Sequence, residues 1–133
     1  MIAMAESSTC GDLMYLFGLY LAEGCISQTN NIPEGIVFCL NSTETILSDL
    51  VLQIIKNKFG IHGTIKDDTR HRRTIRFWSV LLAEKFKELF GSGAHNKKMP
   101  DWFITLPIEQ QTSLLKGLFD GDGHQALACS KYP

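Results

Sequence analysis

Two acids stand at matching places in two short, similar stretches of this chain. Glu23 comes near the end of Leu16-Phe17-Gly18-Leu19-Tyr20-Leu21-Ala22-Glu23-Gly24, and Asp122 near the end of Leu115-Lys116-Gly117-Leu118-Phe119-Asp120-Gly121-Asp122-Gly123. Each acid follows an apolar helical run and precedes a glycine. Brought side by side, two carboxylates repel unless a proton or a metal cation neutralises them. The pair therefore predicts an acidic metal site at the foot of two helices.

The same stretches say how the acids would meet. Gly18 and Ala22 are four residues apart, as are Gly117 and Gly121, so each couple lies on one helix face. Small residues there let two helices approach closely, and the two faces read as halves of one interface. The first helix is expected from about Asp12 to Glu23, with Leu13, Leu16, Phe17, Tyr20 and Leu21 as its apolar bulk and Gly24 ending it. The second motif helix is expected from about Glu109 to Gly121.

Between them the periodicity predicts strands near 25–28 and 36–41, then a helix over 44–59 capped by Ser42 or Thr43 and closed by Gly60. Its core stripe reads as Ile46, Leu47, Leu50, Ile54 and Ile55. Strands near 61–67 and 72–78 follow, joined by a polar turn, then a helix from Val80 to Phe90. The fold class is α+β, an αββαββα unit whose antiparallel sheet carries helices on one face, plus the first helix of a second unit.

Alternation also decides what the open sheet face carries. Ile75 and Phe77 point inward, so Arg72, Thr74 and Arg76 point outward. Ile61, Gly63 and Ile65 share the inner side, which leaves His62, Thr64 and Lys66 outside. Such a basic β-surface can enter a DNA major groove. Trp78 and Trp102 read as core or interface anchors, and Asp120 as a helix-end or supporting acid.

Charge supports this division. The chain of 133 residues carries a net charge of −1, but residues 1–55 hold no Lys or Arg, while 56–98 hold eleven of the thirteen basic residues against four acids. The middle block is as basic as many nucleic-acid surfaces. Cys10, Cys25, Cys39 and Cys129 lack the spacing of a structural zinc site. Asp120-Gly121-Asp122-Gly123 is not a calcium loop, because Gln125 stands where that loop needs glycine. No signal peptide or long apolar run is present, so the expectation is an intracellular, cytoplasmic protein with reduced thiols and no membrane segment.

With both motifs in view, the sequence resembles the LAGLIDADG homing endonucleases, particularly the two-motif type found within inteins and as free-standing enzymes. Asn96-Lys97-Lys98-Met99-Pro100 is similar to that family's Lys-x-Ile-Pro block, with Met99 in place of isoleucine. The resemblance implies a pseudo-symmetric nuclease that cuts both strands of double-stranded DNA at a long specific site. Its sheets form a saddle over the DNA, and the two motif helices form the central interface. It implies Glu23, Asp122 and Lys97 as catalytic residues, with Mg²⁺ or another divalent cation at Glu23, Asp122 and the glycines after them, Gly24 and Gly123. The DNA-contacting set is His62, Thr64, Lys66, Arg70, Arg72, Thr74, Arg76 and Lys98, and the helix interface is Gly18, Ala22, Gly117 and Gly121. Metal-assisted hydrolysis suits these residues, since Mg²⁺ favours carboxylate, phosphate and water oxygens, and a lysine adds positive charge at the attacked phosphate.

On this reading residues 1–108 are a first repeat with its linker and 109–133 open a second. Ten residues follow Gly123, against roughly ninety for a full repeat, so the expectation is an incomplete enzyme. A full-length form would be a pseudo-dimeric monomer, and the fragment could self-associate through its motif helices. The alternative is a non-cleaving nucleic-acid binder on the same scaffold, such as an intron maturase or a transcription regulator.

Overall fold

Apolar residues alternate along each strand and recur at helical spacing between strands, and the chain folds accordingly. The computed structural model describes the backbone of residues 2–91 and 97–129 and the side chains of 11–91 and 97–121. Its elements are α1 (Ile2–Glu23), β1 (Gly24–Thr29), β2 (Ile32–Asn41), α2 (Thr45–Phe59), β3 (Thr64–Asp67), β4 (Arg72–Trp78), α3 (Val80–Phe90), a short 3-10 helix (Asp101–Thr105) and α4 (Ile108–Cys129). This is the expected αββαββα order followed by a further helix. Two compact units result, Gly24–Pro100 and the pairing of Met1–Glu23 with Asp101–Pro133.

In the sheet unit the strands are antiparallel in the order β1-β2-β4-β3. Asn30 and Asn31 both have positive φ, 53° and 66°, the backbone of a two-residue hairpin turn whose twist matches the strands. Ser27 opposes Gly35 but Gln28 opposes Pro33, so Glu34 is an extra, bulged residue. Ile26, Ile36, Phe38, Leu40, Ile75 and Phe77 fill the inner face and are buried. Leu82, Ala83, Phe86 and Phe90 of α3 and Leu47, Val51, Ile54 and Ile55 of α2 are buried too. That α2 lies on this inner face follows from Arg73, which alternates with the outward Arg72 and Thr74 and donates to the Ser48 hydroxyl at 3.0 Å.

Several local expectations are corrected. Ile46 and Leu50 are exposed rather than core, because the buried stripe of α2 runs through Leu47, Val51, Ile54 and Ile55 instead. Neither Ser42 nor Thr43 caps α2. The Asn41 carboxamide oxygen accepts from the Thr43 amide and hydroxyl, Glu44 occupies the cap position, and its carboxylate accepts from the Asn41 amide. Gly60 closes α2 as expected, with φ 70° and its amide donating to the Lys56 carbonyl.

The third strand begins only at Thr64. Gly63 lies over the Phe77 ring, where an added Cβ would come within 2.6 Å of a ring carbon, so His62 sits outside the ladder as an exposed residue. Ile65 is on the inner side of this edge strand yet remains 43% exposed. Trp78 is not a core anchor. It shares the parity of Arg72, Thr74 and Arg76 and is 55% exposed. The other tryptophan is an anchor, with Trp102 against Phe17 at 6.3 Å between ring centroids.

Candidate metal centre and basic sheet face

The helix unit is built on two glycines. A Cβ added at Gly18 would lie 2.0 Å from the Leu114 carbonyl oxygen and 2.6 Å from the Leu118 amide nitrogen. One added at Gly117 would lie 2.1 Å from the Tyr15 carbonyl oxygen and 3.0 Å from the Leu19 amide nitrogen. The two environments are reciprocal, so the helices are related by a local two-fold axis that exchanges positions 15, 18 and 19 with 114, 117 and 118. At such contact distances only glycine has room. All four interface residues expected from sequence are thus in place, with Gly121 facing Ala22 at the far end.

This packing carries Glu23 to the acid end of α4. A Cβ on Gly121 would lie 3.1 Å from Glu23 Cγ, so the stem of Glu23 sits against the residue immediately preceding Asp122. Oε1 of Glu23 is shielded from solvent. The side chains of Asp122 and His124 lie outside the described residues, and of Gly123 the backbone alone is described. The backbone there departs from expectation, since α4 does not stop at the motif glycine but continues to Cys129, whereas α1 ends at Glu23 and Gly24 opens β1. Among the described residues no cluster of three His, Cys, Asp or Glu side chains is assembled. A carboxylate with one buried oxygen suits a hard divalent cation that takes few protein ligands.

In the sheet unit, the Lys97 ammonium donates to the backbone carbonyl of Gly24. Lys97 is therefore fixed on the residue joined by one peptide bond to Glu23. Lys98 is exposed, and its amide donates to the Phe90 carbonyl at 3.1 Å.

The open face of the sheet is laid out in cross-strand rows. Val37, Arg76 and Thr64 form one row, Cys39, Thr74 and Lys66 the next, and Asn41 with Arg72 the last. The register thus places Thr64, Lys66, Arg72, Thr74 and Arg76 on the outward side, as alternation predicts. His62 and Arg70 are exposed but lie outside the strands, Arg70 in the β3–β4 turn. Arg76 stands 5.7 Å from the centroid of the Trp78 ring, a cation–π distance. Arg72 pairs with Asp68 at 3.2 Å, and among the described residues Lys66 and Arg76 have no acidic partner. Hydrogen bonds from the backbone amides of Arg72 and Arg70 and from the Arg72 side chain hold the Asp68 carboxyl below its ordinary pKa.

Known proteins match this arrangement. Residues 11–91 fit the profile of the LAGLIDADG-like domain. This chain belongs to the LAGLIDADG family. Its sequence is 37% identical over 112 residues to the ATP-dependent DNA helicase Hel308 of Thermococcus kodakarensis, covering 82% of this chain but 10% of that protein. It is 30% identical over 116 residues to the DNA-directed RNA polymerase subunit Rpo1C of Methanocaldococcus jannaschii, covering 85% of this chain and 12% of that one. The chain thus spans about a tenth of these relatives. A mesophilic variant of the homing endonuclease I-DmoI has the same fold, with a TM-score of 0.60 at 17% identity over 85% of this chain and 62% of that one. A crystal structure of I-DmoI with DNA and calcium gives 0.59, covering 85% and 58%.

Within this LAGLIDADG chain, sequence reasoning missed one polar contact at the helix interface. The Tyr15 hydroxyl donates to Asp120 Oδ2 at 2.5 Å. Burial pushes the phenol well above its ordinary pKa, and the Asp120 hydrogen bond and charge push it further, so Tyr15 is a permanent donor. Asp120 is accordingly a supporting acid in mid-helix rather than a helix-end residue. The signal was available, because Tyr15 immediately precedes the first motif and corresponds to Leu114. Trp78, read from sequence as a core or interface anchor, is exposed on the outward side, where the alternation that placed Arg76 would have placed it too.

Proposed function

We propose that this chain is the DNA-reading and cation-binding part of a homing endonuclease that hydrolyses phosphodiester bonds in double-stranded DNA. The observation that carries the reading is the reciprocal glycine packing of α1 and α4, which sets the Glu23 stem against the residue before Asp122. Glu23 and Asp122 would hold Mg²⁺ or another divalent cation, whose chemistry is to activate water and neutralise charge on the phosphate. Glu23 offers a carboxylate already shielded on one oxygen. Lys97, the catalytic lysine of the resemblance, is held in the sheet unit by the Gly24 carbonyl. The open sheet face supplies Lys66, Arg76 and Arg72 to phosphates, and Thr64, Thr74 and Trp78 lie among them for contact with sugars and base edges.

The relatives also suggest how the segment travels. A helicase, an RNA polymerase subunit, a replication factor C small subunit and an iron–sulfur cluster assembly protein share this region, which covers 7 to 12% of each. A module common to such unlike proteins is best read as an insert, of intein type, with an activity of its own.

The test is cleavage of a randomised duplex DNA pool by the full chain with Mg²⁺ or Mn²⁺, with cut ends sequenced. Recurrent cut sites that vanish in Glu23→Gln while DNA retention persists support the nuclease. Retention without cation-dependent ends, unchanged in Glu23→Gln, assigns the chain as a binder instead.

A further inference from the structure

The two-fold relation between α1 and α4 is broken at two places, and both breaks act in the same direction. The axis that exchanges Gly18 with Gly117 exchanges Tyr15 with Leu114 and Leu21 with Asp120. Tyr15 meets Asp120 through a hydrogen bond of 2.5 Å, so its symmetry counterpart is the apolar couple Leu114 and Leu21. The same axis relates Ala22 to Gly121, which face each other directly. A Cβ on Gly121 would come within 2.6 Å of the Ala22 methyl, closer than two methyl carbons can approach.

These breaks determine which helix α1 accepts. If the α1 helices of two chains paired in this geometry, the Ala22 methyls would collide. Each Tyr15 hydroxyl would face Leu21 of the other copy and lose its acceptor. If two α4 helices paired, both Asp120 carboxylates would face Leu114 and lose their donor. Only the mixed pair puts one methyl against one glycine and one hydroxyl against one carboxylate. Burying a polar group without its partner costs more than the partnered group gains, so discrimination rests on what the wrong pairs lose.

We infer that Tyr15–Asp120 and Ala22–Gly121 form a recognition code by which α1 accepts a helix of the α4 kind and rejects a second copy of itself. The expected self-association through motif helices is thereby blocked. This inference is independent of any cleavage activity, since it concerns pairing alone.

The experiment is sedimentation equilibrium of the full chain and of a triple variant, Leu21→Asp/Ala22→Gly/Asp120→Leu. In the variant, α1 self-pairing gains two facing glycines and two hydrogen bonds, each from Tyr15 to the carboxylate introduced at position 21 of the other copy. At the same time α1–α4 pairing places that acid against Leu114. The expected result is a variant that dimerises at least about tenfold more tightly than the native chain. A variant no more associated than the native chain overturns the inference. Should the triple variant not fold, thermal melts of two further variants decide. Gly121→Ala is expected to lower the Tm by several degrees, and adding Ala22→Gly to restore most of it. A Gly121→Ala chain that melts like the native one overturns the steric half of the code.

Discussion

Arg72 and Arg73 are adjacent yet do different work, and the pleat of β4 decides which. Arg72 points to the open face and meets Asp68, while Arg73 points inward, where it binds Asp67 through two nitrogens at 2.8 and 3.0 Å and donates to Ser48 of α2. The bidentate fork ties β4 to β3, and the separate bond to Ser48 ties that hairpin to α2. The Arg73 hydrogen bond, reinforced by its charge, holds the Asp67 carboxyl below its ordinary pKa. A depressed carboxyl stabilises the folded state above its unfolded pKa, about 4, and that contribution disappears as pH falls through the lower folded value. Asp67 should therefore titrate by NMR below the ordinary carboxylate midpoint, and Arg73→Ala should return it to that midpoint. An unchanged midpoint in the variant would show that the fork does not hold the hairpin.

Among the elements, the helix pair depends most on single atoms. A methyl at Gly18 or Gly117 would press on a backbone carbonyl at 2.0 or 2.1 Å, and backbone cannot step aside as a flexible side chain can. Gly18→Ala should cost about 3 kcal/mol or more in denaturant unfolding, and Gly117→Ala about as much by the local symmetry. The symmetry does not extend to burial. Tyr20 is 0% exposed, whereas Phe119 at the matching position is 73% exposed, so Tyr20→Ala should cost about 3–5 kcal/mol and Phe119→Ala about 0.5 or less. The glycine notches were legible in the sequence because spacing of four on a helix has one geometric meaning. The strand faces were legible for the same reason at spacing two. The α2 stripe was not, because Ile46 and Leu50 satisfy helical spacing as well as Val51 does, and tertiary contact chose between the two faces. The end of α4 was not legible either, since Gly24 and Gly123 follow equivalent acids and only one of them starts a strand.

At the scale of the whole chain, the net charge of −1 conceals how the molecule would meet DNA, because the basic residues are gathered in one block and the sheet orients part of that block onto one face. Lys66 and Arg76 occupy adjoining cross-strand rows without an acidic partner among the described residues, while Arg72 shares its charge with Asp68. Each phosphate contact releases condensed counterions, so binding to duplex DNA should weaken as salt rises, with a slope of about 0.9 per contact in a log–log plot. Lys66→Ala and Arg76→Ala should each flatten that slope by nearly one contact and weaken binding on unrelated sequences alike. Arg72→Ala should change it less, because a cation already paired to Asp68 brings less uncompensated charge to a phosphate. Arg73→Ala is the control. Its guanidinium lies on the inner face against Asp67 and Ser48, so its loss should lower stability and leave the salt slope where it was. Equal slopes for the Arg73 and Arg76 variants would mean that the open face is not the surface that meets the phosphates.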